Sequence, residues 1–421
     1  MFPAASLLTI LLLALSIAGS RFEVGNSPIT LPIARRLNTS GGTINLLQHD
    51  KARAAALKDH SISTHDRRAG SIPATNDAIG YTAAIGVGSP ATTYTLIVDT
   101  GSSNTWVGAT TPYKMTSTSV NTGQPVMVDY GSGAFLGMTY NDIKYLRLST
   151  GTEYTDTVTL GSGLTITHQS IGVASTSTGF TGIDGILGIG PVDLTVDTLI
   201  NSPATTIPTV TDNLYGQGTI SQNVVAIFFE PPTSPKVING ELTFGGTDAT
   251  KYTGSIAYTP ISPYGSASDF WGINESITYG TTTILSTTSG IVDTGATLIL
   301  IAINAFSTYQ SAIGATLDQT TGLLHITSTQ YSALKNLNFN VGSNIYALTP
   351  NGQIWPRALN TYIGGSTGFI YFVVNSIGSP SGQGLDFING YTFLERFYSV
   401  FDITNARIGF AKTSYTDATT N

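Results

Sequence analysis

Apolar residues along this chain come mostly in short stretches separated by Gly, Thr, Ser and Asn. Short β-branched and aromatic stretches bounded by turn residues read as strands. The pattern predicts them at Tyr81–Val87, Thr93–Val98, Val126–Tyr130, Tyr154–Leu160, Val224–Phe229 and Glu241–Phe244. Later ones are predicted at Ile256–Tyr258, Trp271–Ile277, Gly368–Val374 and Val400–Ile403. Helical spacing fits only Ile207–Tyr215, Ile303–Ile313 and Thr329–Leu337 in the body of the chain. Nearer the start, Leu31-Pro32-Ile33 and Ile44-Asn45-Leu46-Leu47 look like strand anchors, and Ala52 to Lys58 like a short helix. The expected class is all-β (mainly β) with a few short helices. The 421 residues suffice for two domain-sized lobes with real cores.

One apolar run departs from this pattern. Leu7 to Leu15 is followed by the small residues Ser16 to Ser20, which reads as a signal peptide over residues 1–20 although no Lys or Arg precedes it. A membrane anchor would need about 20 apolar residues, so secretion is the expectation and no membrane partner is implied. Charge divides the rest. Residues 21–68 carry eight Lys or Arg against four acids, a net of +4, while residues 69–421 carry ten against 21, a net of −11. An acidic body argues against nucleic acid as a partner. With no Cys, thiol nucleophiles and thiolate metal sites are excluded, and so is the disulfide framework common in secreted chains.

The chemistry lies in a repeated tripeptide. Ile97-Val98-Asp99-Thr100-Gly101-Ser102-Ser103-Asn104-Thr105-Trp106 and Ile291-Val292-Asp293-Thr294-Gly295-Ala296-Thr297 each place Asp-Thr-Gly behind a β-branched apolar pair. Two carboxylates on matching turns suit a shared-proton pair, because like charges that close cannot both ionise. Tyr130-Gly131-Ser132-Gly133, Asp184-Gly185-Ile186-Leu187-Gly188 and Ile388-Asn389-Gly390 follow in order. Together these segments resemble the pepsin family of aspartic endopeptidases over nearly all of residues 76–413. The cysteine-free body and residues 190–196, 353–360 and 384–390 look like its fungal secreted members.

The resemblance implies a bilobal pepsin-like acid protease fold with two pseudo-symmetric β-barrel-like lobes. Residues 21–68 would be a basic prosegment ending at Arg67-Arg68, 69–255 the N-terminal lobe and 256–421 the C-terminal lobe. It implies polypeptide substrates, the prosegment as intramolecular inhibitor, a monomer, no metal and no cofactor. Asp99 and Asp293 would activate a water at acid pH. Gly101 and Gly295 would permit close approach of the loops, Thr100 and Thr294 would bond across the lobes, and Ser102 would donate to Asp99. Tyr130, Gly131, Ser132 and Gly133 would form a flap over the substrate, with the Tyr130 hydroxyl near Trp106. Ile97, Tyr130, Ile183 and Ile186 would make an apolar wall favouring cleavage beside large hydrophobic residues; core packing accounts equally for Ile97 and Ile186.

Four points leave alternatives to weigh. Ala296 stands where the family pattern has a hydroxyl, so Asp293 should lack an outer hydrogen bond that favours its ionised form. Residues 138–151 interrupt the return of the flap, either as a genuine extension or as a translated intron. The pepsin fold also serves as an inactive binding protein, though the Asp, Gly and Tyr positions that such a protein would lose are intact. Gly364-Gly365-Ser366-Thr367-Gly368 fits a serine-hydrolase elbow, but His168 and His325 precede it, against the order that the fold requires. It reads as a turn.

Overall fold

The computed structural model describes residues 28–37, 42–62, 79–130, 134–136, 151–178, 180 and 182–420. The expected signal peptide, Arg67-Arg68, Gly131, Ser132, Gly133 and residues 138–150 lie outside the described residues.

Among the described residues, strands form sheets of 15, seven and three members. Alternation makes the core: Thr92–Asp99 turns Tyr94, Leu96 and Val98 fully inward. Each such side chain contributes about 1.5–3 kcal/mol of burial. The largest sheet runs from Thr253–Pro260 through Arg407–Lys412, Phe397–Asp402, Val224–Phe229 and Lys236–Phe244 to Ile29–Leu37, then on into the first lobe. Both ends of the described chain therefore share one sheet. The lobe boundary expected between residues 255 and 256 falls inside the strand Thr253–Pro260. No helix among the described residues is long and apolar enough to cross a membrane.

The two lobes repeat one arrangement around their Asp. In the first, Gly185–Gly188 runs parallel to the strand ending at Asp99, pairing Leu187 with Val98 and Gly188 with Asp99, while Thr105–Val107 lies antiparallel on its other side. In the second, Phe387–Asn389 runs parallel to the strand ending at Val292, with Ile299–Ile301 antiparallel beyond it.

Local corrections have physical causes. Ile44–Leu47 is no strand: the Asn45 carboxamide accepts the Gln48 N–H at 3.0 Å and caps a helix of 17 residues, Leu46–Ile62. The short helix expected at Ala52 to Lys58 is its middle. Pro32, by contrast, sits in the strand Ile29–Leu37, which pairs with Ile79–Val87 only from Ala34 onward. The missing N–H of Pro32 thus falls on an open side. Thr329–Leu337 is helical only at Ser328–Tyr331, because Leu337, Phe339 and Val341 alternate inward on a strand. Gly368–Val374 breaks into the short strands Ile370–Tyr371 and Val374–Ser376.

Candidate active site

Each Asp-Thr-Gly turn caps a buried strand, and the two turns meet back to back. The Thr100 N–H donates to the Thr294 hydroxyl at 2.9 Å, and the Thr294 N–H donates to the Thr100 hydroxyl at 2.9 Å. Each hydroxyl then donates across to the other strand, Thr100 to the Val292 carbonyl at 3.1 Å and Thr294 to the Val98 carbonyl at 2.9 Å. Gly101 and Gly295 are required by this closeness. A Cβ on Gly101 would stand 2.7 Å from Asp293 Oδ1, and one on Gly295 2.7 Å from Asp99 Oδ1.

The two carboxyls differ in their donors. Asp99 accepts from the Gly101 N–H at 2.9 Å and from the Ser102 hydroxyl at 2.5 Å. Asp293 accepts from the Gly295 N–H at 2.9 Å, and the position matching Ser102 is the buried methyl of Ala296. Burial and the nearby Asp293 charge push the Asp99 pKa up, against the opposing pull of Arg53, Ser102 and Gly101.

Arg53, from the helix Leu46–Ile62, fills the space between the acids. Its Nε donates to Asp293 Oδ2 at 2.6 Å, and its Nη2 donates to Asp99 Oδ1 at 2.5 Å and Asp293 Oδ1 at 2.9 Å. Burial works against its charge, but Asp293 and Asp99 more than offset that and raise its pKa. One turn earlier, buried Asp50 accepts the N–H groups of Thr297 at 3.0 Å and Leu298 at 2.6 Å. The strand Ile29–Leu37 adds Arg35, fully buried 3.4 Å from Glu395 and stacked over the rings of Trp355 and Tyr391. Individual roles for Arg53, Asp50 and Arg35 escaped the sequence reading, which treated the leader's charge as a sum. The signal available was a lone Arg in Ala52-Arg53-Ala54-Ala55-Ala56, where small neighbours let a helix enter a narrow cleft.

Beside Asp99, Trp106 and Tyr130 lie face to face with ring centres 6.3 Å apart, and Phe180 sets its edge against both. Ile186 belongs to the same cluster, and half-buried Ile97 packs on it. Ile183 is buried on the turn next to Phe180 but stands outside that cluster. Phe180 went unnoticed in the sequence because no motif contains it. Burial first, then the Asp99 charge, raises the Tyr130 hydroxyl pKa, while hydrogen bonds with Trp106 and Ser102 oppose the shift. Ser366 lies apart from these residues: its hydroxyl accepts the Gly368 N–H at 3.2 Å, a local turn bond.

Three comparisons bear on this geometry. A family model for eukaryotic aspartyl proteases matches residues 80–413. The chain is 60% identical to polyporopepsin from Irpex lacteus over 354 residues, covering 84% of this chain and all of that protein. It is 30% identical to pepsin A from Sus scrofa over 79% of this chain and 80% of that one. Among solved structures, the crystal structure of the aspartic proteinase from Irpex lacteus superimposes with a TM-score of 0.78 at 52% identity, covering 94% of this chain and all of that one.

Proposed function

Because the chain belongs to the eukaryotic aspartyl protease family and is a pepsin-like aspartic endopeptidase, we propose that it is secreted as a zymogen whose leader blocks Asp99 and Asp293. The observation that carries this reading is Arg53, bonded to both carboxyls at once. While it is there, no water or peptide carbonyl can occupy the space between the acids.

In the open enzyme one carboxyl is ionised and the other protonated, since two like charges so close cannot coexist. The ionised acid takes a proton from the water as it attacks the scissile carbonyl, and its partner donates to the carbonyl oxygen. The resulting gem-diol collapses as the amide nitrogen is protonated. Tyr130 closes over the peptide from the flap. Ile97, Tyr130, Phe180 and Ile186 give the neighbouring wall an apolar, aromatic character, which favours bonds beside large hydrophobic residues.

Acid opens the zymogen through the same groups. Asp99 has a raised pKa from burial, so on acidification it loses its charge before an exposed aspartate would. Protonation weakens its bond to Arg53. The acidic body loses charge over the same range, and the basic leader loosens. Acid treatment of the full-length chain should release a product beginning near Ala69 that digests casein. Asp99→Asn and Asp293→Asn should each lower this activity by about a thousandfold or more. A mature start beyond Tyr81, or substantial turnover by either variant, would refute the reading.

A further inference from the structure

We infer that Glu275 is a positioning residue for Asp293, held as a neutral acid in a two-point hydrogen-bonded pair with the Asn389 side chain. The inference rests on Asp293 being half of the catalytic pair.

Glu275 is fully buried on the strand Gly272–Tyr279, and Asn389 is fully buried beside the strand that delivers Asp293. The Asn389 Nδ2 donates to Glu275 Oε2 at 3.0 Å. The remaining oxygens of these two side chains, Glu275 Oε1 and Asn389 Oδ1, are both buried without a partner. An ionised carboxylate cannot resolve this, because it offers only acceptors to an amide that also needs a donor. A proton on Glu275 Oε1 turns that oxygen into the missing donor and Asn389 Oδ1 into its acceptor. One proton thus satisfies both atoms and closes an acid–amide ring. Burial pushes the Glu275 pKa up to about 8, opposed only by the Asn389 hydrogen bond. Around the pair, Glu275 stands opposite Thr288, whose hydroxyl donates to Asp386.

Asn389 carries the effect to the site. Its main-chain carbonyl accepts the Asp293 N–H at 3.1 Å, while its side chain is held by Glu275. The first lobe manages without such a pair. Counting back along the paired strands, Ile85 opposite Tyr94 corresponds to Glu275 opposite Thr288, and Leu187 opposite Val98 to Asn389 opposite Val292. Ile85 and Leu187 are both buried in the main apolar core. Apolar packing fixes the first Asp strand, and a protonated polar pair fixes the second.

Three changes in the full-length chain, acid-activated for kinetics, test this. Glu275→Gln keeps the two-point pair, since an amide can both accept and donate, and should leave kcat within about twofold of the parent. Glu275→Leu strands the Asn389 amide and should lower kcat about tenfold with KM little changed, because Asp293 moves while the subsites do not. The double change Glu275→Ile with Asn389→Leu copies the first lobe and should recover much of that loss. Melting of the unactivated chain provides a readout independent of catalysis. A group raised in the fold holds its proton there more tightly, so its contribution to stability is full below 4.5 and is lost as pH rises toward about 8. Glu275→Gln should therefore gain on the parent by at least about 5 °C across that window. The inference fails if Gln falls as far as Leu, if Leu leaves kcat unchanged, or if Gln and parent melt in parallel across the window. Activity surviving Asp293→Asn would instead remove the catalytic reading beneath it.

Discussion

The first and second Asp loops share a backbone design and differ in everything behind and beside it. Their threonines exchange mirror-image bonds, and a Cβ on either glycine would stand the same 2.7 Å from the other loop's carboxyl. Around Asp99, however, the Ser102 hydroxyl reaches the carboxyl and an aromatic cluster of Trp106, Tyr130 and Phe180 stands at its side. Around Asp293, Ala296 replaces the hydroxyl and a buried Glu275–Asn389 pair replaces apolar packing. The shared part fixes where the carboxyls sit relative to each other. The divergent part gives each carboxyl different donors and different packing behind it.

The first lobe also has a buried acid, and of the three changes that follow, removing its charge should have the largest effect. Glu153, 3% exposed on the strand Gly151–Gly161, accepts from the Ser170 hydroxyl at 2.5 Å, and burial raises its pKa to about 7. A raised carboxyl binds its proton more tightly in the fold than in the unfolded chain. Its stability is therefore complete below 4.5 and disappears as pH rises through about 7. The difference amounts to about 3 kcal/mol. Glu153→Gln keeps the acceptor without the titration, so urea unfolding at pH 7.5 should show it more stable than the parent by that order, and nearly equal at pH 4. Equal stabilities at both values would mean that water or a counter-charge already compensates Glu153.

The threonine exchange tests the symmetric part of the comparison. Thr100→Val should leave the buried Thr294 N–H without an acceptor, and Thr294→Val should do the same to the Thr100 N–H. Each loss should cost about 1–3 kcal/mol, and the two should be nearly equal because the bonds mirror one another. A markedly larger cost on one side would show that one lobe, and not the crossing itself, holds the loops together.

Which features were legible in the sequence follows the same division. The Asp-Thr-Gly turns, their Thr and Gly neighbours and the braces at Gly185–Gly188 and Ile388–Gly390 are contiguous segments, so their chemistry is written locally. Strands written as one continuous apolar run, such as Val224–Phe229, were readable for the same reason. Arg53, Phe180 and Glu275 acquire meaning only from partners distant in the sequence, and the small residues beside Arg53 are the one local hint among them. Ile44–Leu47 was misread because its β-branched start concealed a cap, and one carboxamide at Asn45 outweighed it. Thr329–Leu337 failed in the opposite direction: a capping box between Thr327 and Gln330 starts a helix that the inward alternation of Leu337, Phe339 and Val341 ends.

The smallest effect should come from making the second loop resemble the first. Ala296→Ser places a hydroxyl at the position matching Ser102, which donates to the outer oxygen of Asp99. Ala296 is fully buried, and its N–H and carbonyl are engaged with Asp293 and Tyr391, so the loop backbone is held on both sides of the substitution. A donor to a carboxyl favours the ionised form. The added hydroxyl should therefore ease the first ionisation of the pair and shift the acid limb of the kcat/KM profile to lower pH. Because the two carboxyls titrate as a pair, the whole limb should move without splitting in two. The pH–rate profile of activated Ala296→Ser against the parent measures this, and Ala296→Val controls for added bulk without a donor. If Val shifts the limb as Ser does, volume at residue 296 is responsible. If Ser shifts it upward, the missing hydroxyl is not what separates the two aspartates.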